Sequence, residues 1–142
     1  MAQVYNRAKT NIGSVWDWDD AGQTFKLMLV TSAYVYADTH NTRSDVTGEI
    51  TNVGYTAGGD AITGRTATQD DGTSEGRYDA ANVTYSPISA GDLPAFAIVY
   101  RDTGIPATDD LVCCLTLSTV DPPDGSPYRI AFNAEGVFKL TN

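Results

Sequence analysis

Positive charge is scarce in this chain. Its 142 residues hold 9 Lys and Arg against 18 Asp and Glu, a formal net charge of −9. A surface this acidic repels a phosphate backbone and an anionic bilayer alike, so neither nucleic acid nor membrane is an expected partner. Long apolar runs are also lacking. None approaches the ~18 residues of a membrane helix, and the opening MAQVYNRAKTNIGSVW has no apolar core of signal-peptide length. The chain is therefore expected to fold in the cytoplasm that makes it. No 20–50-residue repeat or low-complexity run is present. The length suits one domain, and the 42% hydrophobic content is that of a globular protein.

Residues that carry chemistry are few. The 2 cysteines, Cys113 and Cys114, are adjacent. Neighbouring side chains on a strand point to opposite faces, so a bond between them would strain the backbone, and we read both as small buried residues. There is 1 histidine, His40, which we read as a hydrogen-bonding loop residue because no His or Cys lies near it to complete a zinc set. Asp17-Trp18-Asp19-Asp20-Ala21-Gly22 begins like a calcium loop. It then places Ala21 and Met28 where the loop needs an oxygen ligand and a bidentate Glu. No metal and no cofactor are expected. G-x-S-x-G, Walker and dinucleotide motifs are absent, and no catalytic residue is assigned. Asn82-Val83-Thr84 matches a glycosylation sequon by chance. Asp70-Asp71 and Asp109-Asp110 are read as solvated turn residues.

What is abundant is β-type alternation between turn residues. Residues 25–31 (FKLMLVT) put Phe25, Leu27 and Leu29 on one face and Met28 and Val30 on the other, the pattern of a central strand. Further strands are expected at 61–69, 76–79, 81–85, 96–101, 111–118, 128–133 and 137–141. Asp71-Gly72 should turn one hairpin, and two more hairpins should follow at the C-terminal end. The exceptions are a two-turn helix at 5–12 ended by Gly13, a helical turn at 42–46, and 13–19, expected as a strand or extended arm with Trp16 and Trp18 on one side. The fold class this predicts is all-β: an antiparallel two-sheet β-sandwich, jelly-roll-like, at 21–142, preceded by an N-terminal arm or short helix at 1–20. Phe96, Ile98, Leu115, Leu117, Ile130, Phe132 and Phe138 are its expected core.

Several blocks are distinctive: YNRAK at 5–9, FKLMLVTSAY at 25–34, DTHNTRSDVTGEI at 38–50, GYTAGGDAITGRT at 54–66, DAANVTYSPISAG at 79–91, AIVYRDTG at 97–104 and IAFNAEGVFKL at 130–140. Together they resemble a family of short tailed-bacteriophage virion structural proteins, nearly end to end. VWDWDD and PPDGSP depart from that pattern. The resemblance implies a non-enzymatic capsid decoration (cement) protein on the outside of the virion head. Its partner would be the major capsid protein, and its own assembly a homo-oligomer, with a trimer favoured. A tail or baseplate accessory protein is the alternative. A small glycan-binding module, using Trp16, Trp18, Asp17 and Asp19, is a further one.

The aromatic-rich first quarter suggests where such a protein would adhere, since Tyr and Trp are enriched at interfaces. Val4, Tyr5, Arg7, Trp16 and Trp18 are expected on a contacting arm. Tyr34, Tyr36 and His40 are expected on a second contact surface running to Glu49. Deleting residues 1–12 should then remove binding and spare the fold.

Overall fold

A computed structural model describes residues 2–117 and 121–141. These form β1 (Ala2–Val4), α1 (Asn6–Asn11), β2 (Thr24–Val30), β3 (Asp60–Ala61), β4 (Thr66–Asp70), β5 (Glu75–Asp79), β6 (Val83–Pro87), β7 (Phe96–Asp102), β8 (Leu111–Thr116), β9 (Pro127–Ile130) and β10 (Phe138–Thr141). Every strand pairing is antiparallel. A five-stranded sheet runs in the order β1-β8-β7-β2-β3, and a three-stranded sheet (β10-β5-β4) and a two-stranded sheet (β6-β9) complete the fold. The fold is all-β and sandwich-like, with its second layer in two pieces.

The doubly apolar β2 sits where its pattern requires, between β7 and β3. Its register with β7 runs unbroken from Thr24↔Asp102 to Val30↔Phe96. Phe25, Leu27 and Leu29 join Ala97, Val99 and Cys113 in the main core, under Val83 and Tyr85 of β6, Ile130 of β9 and Phe138 of β10. Met28 and Val30 join Ile98, Tyr100, Leu111 and Cys114 in a second core on the other face. Cys113 and Cys114 are buried free thiols on opposite faces, as strand alternation demands. Of the expected core, Ile98, Ile130 and Phe138 are buried, whereas Phe96, Leu115, Leu117 and Phe132 are half-buried.

Three local expectations change. The stretch 61–69 is two strands in different sheets, because Gly64 turns the chain at φ +62 and Arg65 is drawn inward. The Arg65 guanidinium donates to the carbonyls of Trp18 (2.6 Å), Ile62 (3.0 Å), Asp20 (2.6 Å) and Gln23 (2.7 Å). The last hairpin does not form as a strand pair: β9 takes β6 and β10 takes β5, leaving only an Asn133↔Gly136 bridge at the turn. The strand expected at 111–118 ends at Thr116, and Ser118 lies outside the described residues.

The N-terminal segment is not a free arm. β1 pairs with β8 at Ala2↔Leu115, Gln3↔Cys114 and Val4↔Cys113, which completes the edge of the large sheet. Tyr5 N–H donates to the Val112 carbonyl at 3.1 Å, and α1 then folds over that edge. Tyr5 enters the second core while Ala8 enters the main one. Residues 13–19 turn and bridge (Ile12↔Trp16) without forming a strand of their own.

Candidate functional site

The residues expected to make contacts fall on the two faces of the large sheet. Trp16 and Trp18 lie on the main-core face, each only 1% exposed. Trp16 packs edge-on to Phe25 at 5.4 Å; Trp18 meets Phe25 at 4.9 Å and Phe138 at 5.2 Å. Trp18 Nε1 donates to the Asp79 carbonyl at 2.8 Å, whereas Trp16 Nε1 is buried without a partner among the described residues. Both indoles are internal packing groups. They are not presented to a capsid or stacked against a sugar, because together they cover Phe25, and the core would otherwise be open there.

Tyr5, Tyr34, Tyr36 and His40 do come together, on the opposite face, whereas the Val4 side chain packs against the main core and only its carbonyl reaches them. Tyr5 and Tyr34 hydroxyls are 2.8 Å apart, and the Tyr34 hydroxyl lies 2.9 Å from His40 Nδ1. The Tyr36 ring tilts over Tyr5 at 5.0 Å, and its hydroxyl donates to the Val4 carbonyl at 3.3 Å. Tyr5 and Tyr34 are fully covered by this arrangement, so they too are core residues and not surface anchors. Burial pushes the Tyr34 phenol up to about 12 and drives Tyr5 higher still. Val4, Tyr36 and His40 remain partly exposed, and Arg7 is exposed.

Arg7 leads to a feature the sequence concealed. Its Nε donates to Asp110 Oδ1 at 3.0 Å, and Asn11 Nδ2 donates to Asp110 Oδ2 at 2.6 Å. Next to it, Asp109 Oδ1 accepts from the Thr103 N–H (2.6 Å) and hydroxyl (2.8 Å). Arg43 Nε stands 3.0 Å from Asp109 Oδ2 as an ion pair without an aligned hydrogen bond. The Arg43 guanidinium also lies over the Tyr100 ring at 5.0 Å and donates to its hydroxyl at 3.2 Å. That hydroxyl donates on to the Gly58 carbonyl at 2.6 Å. Asp109 and Asp110 are thus buried, paired carboxylates and not solvated turn residues. They pin α1 and the helical turn Arg43–Asp45 to the start of β8. Sequence inspection missed them because nothing local marks a DD pair as paired with arginines about 65 and 100 positions away.

The exposed apolar side chains were missed as well. Val35 (76% exposed), Val53 (78%) and Leu93 (50%) sit on the loops that leave one end of the large sheet, whereas Val15 (54%) and Ile105 (59%) are exposed elsewhere, before β2 and between β7 and β8. Segment 31–36 follows β2, segment 48–55 is bonded to it through Thr31 N–H and the Gly48 carbonyl, and segment 88–95 precedes β7. The loops are braced beneath. Asn52 Nδ2 donates to the Ser89 (2.9 Å) and Asp92 (3.2 Å) carbonyls, and the Thr51 hydroxyl and N–H donate to Asp92 Oδ2. Glu49 Oε1 accepts from the Tyr55 hydroxyl (2.8 Å) and Gly58 N–H (2.5 Å).

Among the described residues, no group of three or more His, Cys, Asp or Glu side chains is placed to hold a metal ion. No described helix is long and apolar enough to cross a membrane. No family model matches the chain, and neither a curated protein nor a solved structure matches it.

Proposed function

We propose that this protein is a non-enzymatic phage virion component that decorates the outer face of the major capsid lattice and stabilises the head. The sequence blocks that resemble tailed-phage structural proteins motivate the reading. The structural observation that carries it is the group of exposed apolar tips Val35, Val53 and Leu93 at one end of the large sheet, on neighbouring loops cross-linked by the Asn52 and Glu49 side chains. Such tips lose little conformational entropy on docking, and identical weak contacts sum by avidity over a symmetric shell. Trimers at threefold points of the lattice would multiply that effect. The proposed contact surface is therefore the loop tips and not the buried aromatics; Tyr36 and His40 continue the connection that carries Val35, and Arg7 lies at the other end of the sheet with Asp110.

Mixing the purified protein with expanded shells tests this. Stoichiometric binding and a higher shell melting temperature are expected. The triple change Val35→Ser, Val53→Ser and Leu93→Ser should abolish binding and leave the protein's own melting transition in place. No binding to shells overturns the reading. So does recovery of the protein only with separated tails, by mass spectrometry of the two fractions.

A further inference from the structure

The three-stranded sheet ends in an edge, β4, that no other described strand covers. Thr66, Ala67, Thr68 and Gln69 of β4 are all exposed. Unpaired edge strands are normally shortened, bulged, or marked with Pro or Lys to prevent chains from adding to them. The other edges among the described residues carry such features. β1 and β3 have 3 and 2 residues. β6 ends in a bulge at Pro87, β9 opens on Pro127, and β10 carries Lys139. β4 is 5 residues long, regular along its register with β5, free of Pro and Lys, and its one charged residue, Asp70, is paired with Arg77 of its own sheet.

We infer that β4 is a self-pairing edge, which joins antiparallel to β4 of a second copy across a twofold axis. Its sequence, TATQD, is complementary to itself in the full-overlap register. Thr68 then faces Thr68 of the second copy, Ala67 faces Gln69, and Thr66 faces Asp70. Thr–Thr pairs are favourable across strands, and a Thr66 hydroxyl can donate to the opposing Asp70 carboxylate.

Charge favours this register locally, despite the −9 of each chain. The Asp70 carboxylate is already paired with Arg77 of β5 at 2.8 Å and does not face its own copy. Arg77 continues to Glu75 (3.3 Å), and Glu75 to Lys139 of β10 (2.9 Å), so the charged side of the sheet is compensated as far as the edge. The hairpin that presents the edge is closed by its own side chain. Asp70 Oδ1 accepts from Gly72 N–H at 3.0 Å and Thr73 N–H at 3.3 Å. A five-residue strand pair is smaller than a standard interface, so free copies associate weakly, with a dissociation constant on the order of 0.1–1 mM. Screening the net charge with about 0.5 M salt strengthens the association.

This contact does not depend on capsid binding, and its test needs no shell. Facing residues in an antiparallel pair have Cα atoms about 4.5–5.5 Å apart, within disulfide range. Thr68→Cys in the full chain should therefore form disulfide dimers under mild oxidation. The native thiols are buried and should not compete. Thr84→Cys, exposed on β6, is the control and should remain largely monomeric. Sedimentation at high protein concentration supplies the second measurement. Thr68→Glu faces Arg77 within its own sheet and itself across the twofold, so it should fold normally and associate about tenfold more weakly. Thr84→Glu, which faces Arg129 in the same way, should associate like the parent chain. Equal capture of the two cysteine variants overturns the inference, as does unchanged association of Thr68→Glu. Failure of shell binding with specific Thr68→Cys capture would reject the decoration reading and leave the β4 contact standing.

Discussion

Trp18 illustrates how one side chain can be visible in sequence and misleading in role. Its indole is buried between Phe25 and Phe138, its N–H is satisfied by Asp79, and Arg65 lies 5.9 Å from its ring centroid. Trp18→Ala should cost about 3–5 kcal/mol in a denaturant melt, the range for truncating a buried aromatic. Fluorescence of the parent protein should be blue-shifted and poorly quenched by iodide, because both tryptophans are inside. Red-shifted, quenchable emission would contradict that placement. Arg43 is the polar counterpart. Arg43→Met strands the buried Asp109 carboxylate, and a loss of about 3 kcal/mol is expected from the same measurement. Gly59 sits at φ +76 with its Cα against the Leu27 carbonyl, where a Cβ would overlap the oxygen. Gly59→Ala should therefore lower the melting temperature sharply even though it adds one methyl group.

Among elements, β1 and α1 show what continuity along the chain hides. Read as residues 1–20, they look like an appendage: short, aromatic and poor in helix stability. In the fold, β1 supplies the outer hydrogen bonds of β8, and α1 places Tyr5 and Ala8 in separate cores. Deleting residues 1–12 should therefore destabilise the whole domain, measured as a lower melting temperature, and not merely remove a docking arm. The clearest local patterns survive folding unchanged. The two apolar faces of β2, the β7–β8 hairpin, the Asp71-Gly72 hairpin and the helical turn within 42–46 all stand where alternation and turn chemistry put them. The 61–69 stretch does not, because Arg65 bonds three carbonyls distant in sequence, those of Trp18, Asp20 and Gln23, and bends the chain to reach them.

For the whole molecule, acid and base should unfold it by different groups. Backbone N–H donors lower the Asp45 and Asp20 carboxyls, from Thr42 and Gly22 respectively, and a hydrogen bond from Lys139 lowers Glu75. Their stabilisation is complete above the ordinary carboxylate range near 4 and is lost as pH falls through their depressed values. Phenols work in the opposite sense. Burial pushes Tyr34 and Tyr100 up to about 12, raises Tyr5 and Tyr55 further, and holds Tyr85 well above its ordinary value. Their contribution is complete below the ordinary value near 10 and is lost as pH rises through the folded values. A stability profile by thermal melting should be flat at mid pH and fall below about 4 and above about 10. Tyrosine absorbance should show ionisation coinciding with unfolding at the alkaline end.

The acidity of the chain, the all-β class, the faces of its central strands and the burial of its adjacent cysteines are properties of composition and of period-two alternation. Those are local, and the sequence by itself determined them. Only the tertiary structure decided which strands meet: β9 pairs with β6 and β10 with β5, although a short turn joins β9 to β10. It also decided that Asp109 and Asp110 are buried beside Arg43 and Arg7, that the tryptophans point inward, and that Val35, Val53, Leu93 and the β4 edge are left outside. These are choices among non-local partners. Each is set by how much apolar surface and how many hydrogen bonds a given pairing satisfies across the whole molecule, a quantity that no short stretch of residues contains.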